Sequence, residues 1–88
     1  MFLRIERLVG EKDITVLRLS GRIEAEHMDT LRELLKQEKG RLAIDLREVT
    51  LINREAITFL ALTEADGAEL RNCADYIREW ITKERDRQ

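Results

Sequence analysis

The chain has 88 residues, of which 43% are apolar and 39% are charged, with a formal net charge of −2. This length corresponds to a single domain over residues 1–88. The nearly balanced charge argues against nucleic acid or an anionic membrane surface as the main partner, because both select a concentrated basic surface. One cysteine cannot form an internal disulfide, and no apolar run reaches the roughly 20 residues of a membrane span, so the sequence predicts a cytoplasmic domain without membrane insertion.

The N-terminal part of the chain predicts a hairpin followed by a helix. Residues 2–9 alternate between apolar and charged side chains, residues 10–13 interrupt the pattern as a turn would, and residues 14–20 predict a second strand that ends at Gly21. Helical spacing begins near Glu24. Its apolar positions lie on one face: Met28, Leu31, Leu34 and Leu35.

The C-terminal part alternates strands with helices. Gly40 ends the first helix, and residues 41–46 predict a strand, with Leu42, Ile44 and Leu46 on one face. A second helix ends at Gly67, residues 68–71 predict a fourth strand, and a last helix begins at Asn72. The second helix is marked by Ala56, Ile57, Phe59, Leu60, Ala61 and Thr63, and the last helix by a predicted core face of Tyr76, Ile77, Trp80 and Ile81.

The element order is therefore β, β, α, β, α, β, α, which predicts an α/β fold. Its small mixed sheet would contain an N-terminal hairpin and then parallel strands, joined by three helices in right-handed crossovers. Ligands and partners of such sheets bind beyond the carboxyl ends of the parallel strands, where helices begin. Residues 21–27 and 51–55 are the two loops that meet this condition.

Three segments in this order resemble the STAS domain of bacterial anti-sigma factor antagonists: LRLSGRIEAEHMDTLRELL, the strand LAIDL, and the turn and helix VTLINREAITFL. The resemblance covers residues 14–81 and leaves residues 82–88 as a charged tail. It implies a STAS-like layer fold and a non-catalytic regulatory domain that binds another protein. The implied partner is an anti-sigma factor or a kinase-like regulator.

The resemblance also locates a departure from the family in the turn before the second helix. Antagonists of this type carry an Asp-Ser-Ser-Gly-like turn, in which a partner kinase phosphorylates one serine. Here the four positions hold Asn53, Arg54, Glu55 and Ala56, with Glu55 at the phosphorylated position. Ser20 is the sole serine and lies on a predicted strand, and Thr58 is near the turn but off the acceptor position. The resemblance therefore implies a domain without a phosphorylation switch.

Two interpretations of this turn remain open. A carboxylate in the first turn of a helix is stabilised by about 0.3–1 kcal/mol and asparagine is a favoured N-cap, so Asn53 and Glu55 can simply start a helix. Alternatively, Glu55 mimics a phosphoserine with one negative charge where phosphate supplies ~1.5–2. Arg54 is either a solvated charge or a donor to a carboxylate of a partner.

The other loop contains Glu24, Glu26 and His27. The resemblance implies an acidic residue at Glu24 on the surface that meets the kinase, beside the Asn53 turn, although acidic residues also favour a helix start without any partner. His27 is the sole histidine, so no metal site is predicted. The predicted partner surface covers residues 21–27 and 51–58 and consists of Glu24, His27, Asn53, Arg54, Glu55 and Thr58.

No catalytic residue and no cofactor are predicted. The sequence lacks a phosphate-binding glycine loop, a paired cysteine motif and a Ser-His pair. Cys73, near the start of the last helix, is expected to be a structural residue rather than a reactive thiol. Asp45 lies at the end of a predicted strand, where carboxylates are common, so the pair of Asp45 and Glu48 is not expected to act as a general acid and base.

Two other functions and one form of self-association are also consistent with the sequence. STAS-like domains serve as cytoplasmic accessory subunits of membrane transporters, and the helix starts could bind a small anionic ligand such as a nucleotide. The short sheet suggests that Trp80 and Ile81 are incompletely covered, which predicts a homodimer or a partner contact at these residues.

Overall fold

A computed structural model describes residues 3–38 and 40–86, and the predicted order of strands and helices is confirmed. The elements are β1 (Leu3–Val9), β2 (Thr15–Ile23), α1 (Met28–Gln37), β3 (Leu42–Ile52), α2 (Arg54–Ala65), β4 (Glu69–Arg71) and α3 (Asp75–Asp86). Short 3₁₀ turns at Glu11–Asp13 and Ala25–His27 precede β2 and α1. Phe2, the predicted first strand residue, and the last two residues of the predicted tail lie outside the described residues.

The four strands form one mixed sheet in the order β1-β2-β3-β4. β1 and β2 are an antiparallel hairpin, whereas β2 pairs with β3 and β3 with β4 in parallel, as the sequence predicts. The hairpin turn favours glycine at position 10 for a steric reason. A Cβ at this position would lie only 2.9 Å from Ile14 Cγ2. The predicted α/β fold class is confirmed.

All three helices pack on the same face of the sheet. Met28 and Leu31 of α1, Ile57 and Leu60 of α2, and Ile77 and Ile81 of α3 belong to one buried cluster with apolar residues of β2 and β3. Full burial of each such side chain contributes about 1.5–3 kcal/mol. The parallel crossovers therefore align α1 with α2 along the sheet, and the starts of both helices lie beyond the carboxyl ends of β2 and β3.

The opposite face of the sheet carries a row of alternating charges. Glu6, Arg18, Asp45 and Arg71 lie directly opposite one another on successive strands. Burial raises the pKa of Asp45, but hydrogen bonds from the Arg47 N–H and the Asn72 amide, each 3.0 Å long, together with the nearby arginines, bring it below its ordinary value. Asp45 is thus a buried structural carboxylate within β3, and the prediction that it ends a strand is wrong.

Three predicted element boundaries are also wrong. β2 continues past Gly21 to Ile23, because irregularities in its pairing with β3 absorb Gly21 at a φ of 95°. β3 continues through residues 47–52, which the sequence predicts as a loop, because these residues pair with the extended end of β2. α3 includes residues 82–86 of the predicted tail.

The last helix differs from its prediction in its first residue and in its buried face. Asn72 does not start α3. It has a φ of 54°, and its amide instead binds Asp45. Tyr76 is 53% exposed and is not part of the core face, whereas Ile77 is 1% exposed. Ile81 is fully buried in the chain's own core and Trp80 packs partly against it, so Ile81 offers no surface for the predicted self-association.

Candidate functional site

The two predicted loops lie side by side. Ile23 at the end of β2 pairs with Ile52 at the end of β3, and the Asn53 N–H donates a hydrogen bond of 3.2 Å to the Ile23 carbonyl. Glu24 directly follows this linkage in the chain. The parallel register therefore fixes the start of α2 against the turn that leads into α1.

Asn53 is the N-cap of α2. Its Oδ1 accepts a 2.9 Å hydrogen bond from the Ala56 N–H, and its backbone carbonyl accepts one of 3.1 Å from the Ile57 N–H. The cap satisfies one of the N–H groups that an α-helix leaves without an internal partner. Sequence reasoning predicted this role correctly, since asparagine before a helical apolar pattern has a local physical cause.

Glu55 is the second residue of α2 and is exposed. Its side chain forms no ion pair or hydrogen bond with another residue in the described ranges 3–38 and 40–86. The carboxylate therefore faces solvent near the positive end of the helix dipole. A binding partner would meet a full negative charge here.

Arg54 binds a carboxylate of its own chain. Its Nε lies 3.4 Å from Oε1 of Glu84, whose side chain is only 10% exposed on α3. The guanidinium is thereby held toward α3, and the start of α2 is tied to the end of α3. Sequence reasoning missed Glu84 because it assigned this residue to a charged tail, although the spacing of Ile77, Ile81 and Glu84 continues one helical face.

Glu24 and His27 form a closed turn before α1. The His27 Nδ1 accepts a 3.0 Å hydrogen bond from the Glu24 N–H, and the His27 N–H donates one of 2.9 Å to the Glu24 carbonyl. This arrangement is a variant of the capping box in which histidine replaces glutamate. Glu24 also lies 4.0 Å from Arg22 Nε. His27 therefore has a structural role, and Glu24 remains half-exposed beside the Asn53 turn.

Thr58 completes a shallow depression at the start of α2. Its hydroxyl donates a 3.2 Å hydrogen bond to the Arg54 carbonyl one helical turn earlier. The depression has a volume of about 280 Å³ and is lined by Arg32, Arg54, Glu55, Thr58, Phe59 and Leu62. The structure thus brings Arg54, Glu55 and Thr58 together, whereas Glu24 and His27 belong to the neighbouring loop.

The remaining predictions for this site concern metal ligands, Cys73 and membrane-spanning helices. Within residues 3–38 and 40–86, no group of three or more histidine, cysteine, aspartate or glutamate side chains could hold a metal ion. Cys73 packs partly against the main apolar cluster, and burial raises the pKa of its thiol. None of the described helices is long and apolar enough to cross a membrane.

The fold is similar to that of a solved STAS domain. A crystal structure of an antisigma-factor antagonist, STAS domain, from Rhodobacter sphaeroides matches with a TM-score of 0.59 and 12% sequence identity, over 83% of this chain and 92% of that chain. No family model matches the sequence, and the comparison with curated proteins found no match. The chain therefore has the STAS fold, and the resemblance seen in the sequence is confirmed at the level of structure.

Proposed function

We propose that this chain is a non-catalytic regulatory module that binds another protein through residues 21–27 and 51–58. The observation that carries the proposal is the exposed Glu55 carboxylate, on a turn that the Asn53–Ile23 hydrogen bond holds against the Glu24 loop. On a STAS fold, the family resemblance assigns this turn to the contact with the regulator. An anti-sigma factor or a kinase-like regulator is the partner class that the resemblance favours.

Binding without phosphorylation is the second part of the proposal. The acceptor position holds a carboxylate and no hydroxyl, and Ser20, the chain's one serine, lies within β2. Glu55 supplies about one negative charge where a phosphoserine would supply ~1.5–2. The module would consequently remain in one binding state, whether or not a kinase is active in the cell.

The orientation of Arg54 supports this reading of the charge. A guanidinium beside Glu55 could neutralise the carboxylate, but Arg54 is drawn toward the nearly buried Glu84 at 3.4 Å. Glu84 therefore offsets part of the positive charge that Arg54, whose side chain is 65% exposed, places beside Glu55. A cationic side chain of a partner is the complementary group.

A small anionic ligand fits this helix start less well than a protein does. The Asn53 side chain already accepts the Ala56 N–H, and the Glu55 carboxylate repels an anion that approaches the remaining N–H groups. A thermal-shift screen against nucleotides is expected to show no stabilisation of the wild-type chain.

Affinity capture from native cells tests the proposal with Glu55→Ala, Glu55→Ser and a control, Glu79→Ala. Glu79 is an exposed glutamate on α3, so its removal changes the net charge equally. The captured protein is then purified, and its affinity for each variant is measured by calorimetry. We expect Glu55→Ala to weaken binding by about tenfold or more, because a charge-assisted contact contributes roughly 1.5–3 kcal/mol.

The serine variant tests the missing switch separately. Without phosphorylation, Glu55→Ser is expected to bind as weakly as Glu55→Ala, and phosphorylation of the new serine by a captured kinase is expected to restore binding. Equal affinities for wild type, Glu55→Ala and Glu79→Ala would show that this turn does not bind the partner.

A further inference from the structure

A second surface of the chain is the groove between α1 and α2, which we call the α1–α2 groove. Its larger part has a volume of about 600 Å³ and ends near Gly40 and Gly67. The half-buried Leu35 and Phe59 and the 49% exposed Leu62 give this groove an apolar floor. It continues into the depression beside Glu55, because both are lined by Arg32, Phe59 and Leu62.

The uncompensated charges of the groove are separated by sign. Lys36 lies on α1 and Arg41 follows that helix directly before β3, whereas Glu55 lies on α2 and Asp66 is its C-cap. In the part of the chain that the structure describes, none of these four side chains forms an ion pair or a hydrogen bond. The groove therefore has a basic wall along α1 and an acidic wall along α2.

The other charged groups that line the groove already have partners. Arg32 pairs with Asp29 at 3.5 Å, Glu38 with Arg7 at 2.7 Å, Arg54 with Glu84 at 3.4 Å, and Glu69 with Arg71 at 3.2 Å. Glu38 and Arg54 are the two residues whose charge opposes the sign of their own wall. Because both are compensated within the chain, the difference between the two walls is preserved.

This arrangement is complementary to itself. α1 and α2 are parallel, so a two-fold axis that runs along the groove would place α1 of one copy over α2 of the other and keep their ends aligned. Lys36 and Arg41 would then face the acidic wall at Asp66. An axis across the groove would instead stack α1 on α1 and bring like charges together.

We propose that the α1–α2 groove is the interface of a symmetric homodimer of this chain. A second copy supplies the apolar surface that covers Leu62 and Phe59, and its walls supply the opposite charges at both edges. This surface differs from the predicted contact at Trp80 and Ile81. It goes beyond the partner binding proposed above, with which it shares Glu55, so a second copy and the protein partner would compete for that end of the groove.

Charge reversal combined with analytical ultracentrifugation tests the dimer. One variant, Lys36→Glu with Arg41→Glu, makes both walls acidic, and a second, Glu55→Lys with Asp66→Lys, makes both walls basic. The control, Arg4→Glu with Lys83→Glu, changes the net charge as much as the first variant does but at exposed positions on β1 and α3. Circular dichroism establishes that each variant is folded.

We expect the wild-type chain and the control to dimerise with similar affinity, and each reversed variant to dissociate about tenfold or more readily. Mixed in equal amounts, the two reversed variants are expected to form a heterodimer, because every wall then meets its opposite. Recovery on mixing cannot arise from damage to either fold. A wild-type chain that stays monomeric up to millimolar concentration, or a mixture that fails to associate, would overturn the proposal.

Discussion

Replacement of Asn53 by alanine tests whether the start of α2 depends on its side-chain cap. The Asn53 Oδ1 accepts the Ala56 N–H at 2.9 Å in a partly buried position, and alanine leaves this donor without that acceptor. Loss of such a cap costs typically ~1 kcal/mol, within a range of about 0.5–2. For a chain of 88 residues, the total free energy of unfolding is roughly 4–13 kcal/mol, so one cap is a measurable fraction of it.

The assay is urea denaturation followed by circular dichroism, together with a thermal scan. We expect Asn53→Ala to lower the midpoint of both transitions, with a decrease in Tm of about 4–8 °C for each kcal/mol lost. The slope of the free energy against urea should not change, because the cap alters little of the surface exposed on unfolding.

Asn53→Ser is the matched control, since the serine hydroxyl can accept the same N–H. We expect it to retain most of the stability that alanine loses. The reasoning would be refuted if alanine and serine lowered the free energy of unfolding equally, because the Asn53–Ile23 backbone bond would then fix the turn without the cap.

Two further predictions concern the core and the pH dependence of stability. Ile77→Ala should cost about 2–5 kcal/mol by urea denaturation, whereas Tyr76→Ala should cost less than about 0.5, since only Ile77 is buried; equal costs would contradict the assigned helix face. Hydrogen bonds from Arg78 hold the pKa of Glu64 below its ordinary 4.5, so the stability that Glu64 contributes is present above that pH and is lost as the pH falls through the lower folded-state value. The stability difference between wild type and Glu64→Gln should therefore be largest near neutral pH and vanish in acid, and a pH-independent difference would show that ionisation of Glu64 plays no part.

The sequence was sufficient to predict those features of the fold that depend on residues close together in the chain. Alternating and helical spacing located the strands β1–β4 and the helices α1–α3 of the described residues, and Asn53 could be recognised as a cap from its place before an apolar pattern. The loops of the candidate surface could be predicted to be neighbours, because consecutive parallel strands place their carboxyl ends together. Each of these inferences depends on residues close in sequence or on a general rule of sheet topology.

The sequence was not sufficient to predict those features that depend on contacts between residues far apart in the chain. Asp45 binds the Asn72 amide 27 positions away, which withdraws Asn72 from the start of α3. The end of β3 is a strand only because β2 continues past Gly21, and neither extension is apparent until the two are paired. The Arg54–Glu84 pair joins two helices whose relative position follows from the completed core. Contacts between side chains that are far apart in the sequence cannot be predicted from the local spacing of apolar residues.

The Arg54–Glu84 pair also bears on how a carboxylate could replace a phosphoserine at this turn. A phosphate at the second position of a helix gains from the dipole and from a charge of ~1.5–2, whereas a glutamate has only one charge. If Arg54 were free, it would reduce even that charge. Glu84 is nearly buried and lies 3.4 Å from Arg54, so it offsets part of the Arg54 charge at the start of α2. Glu84 on α3 thus changes the electrostatics at the start of α2, although it does not belong to the predicted surface itself.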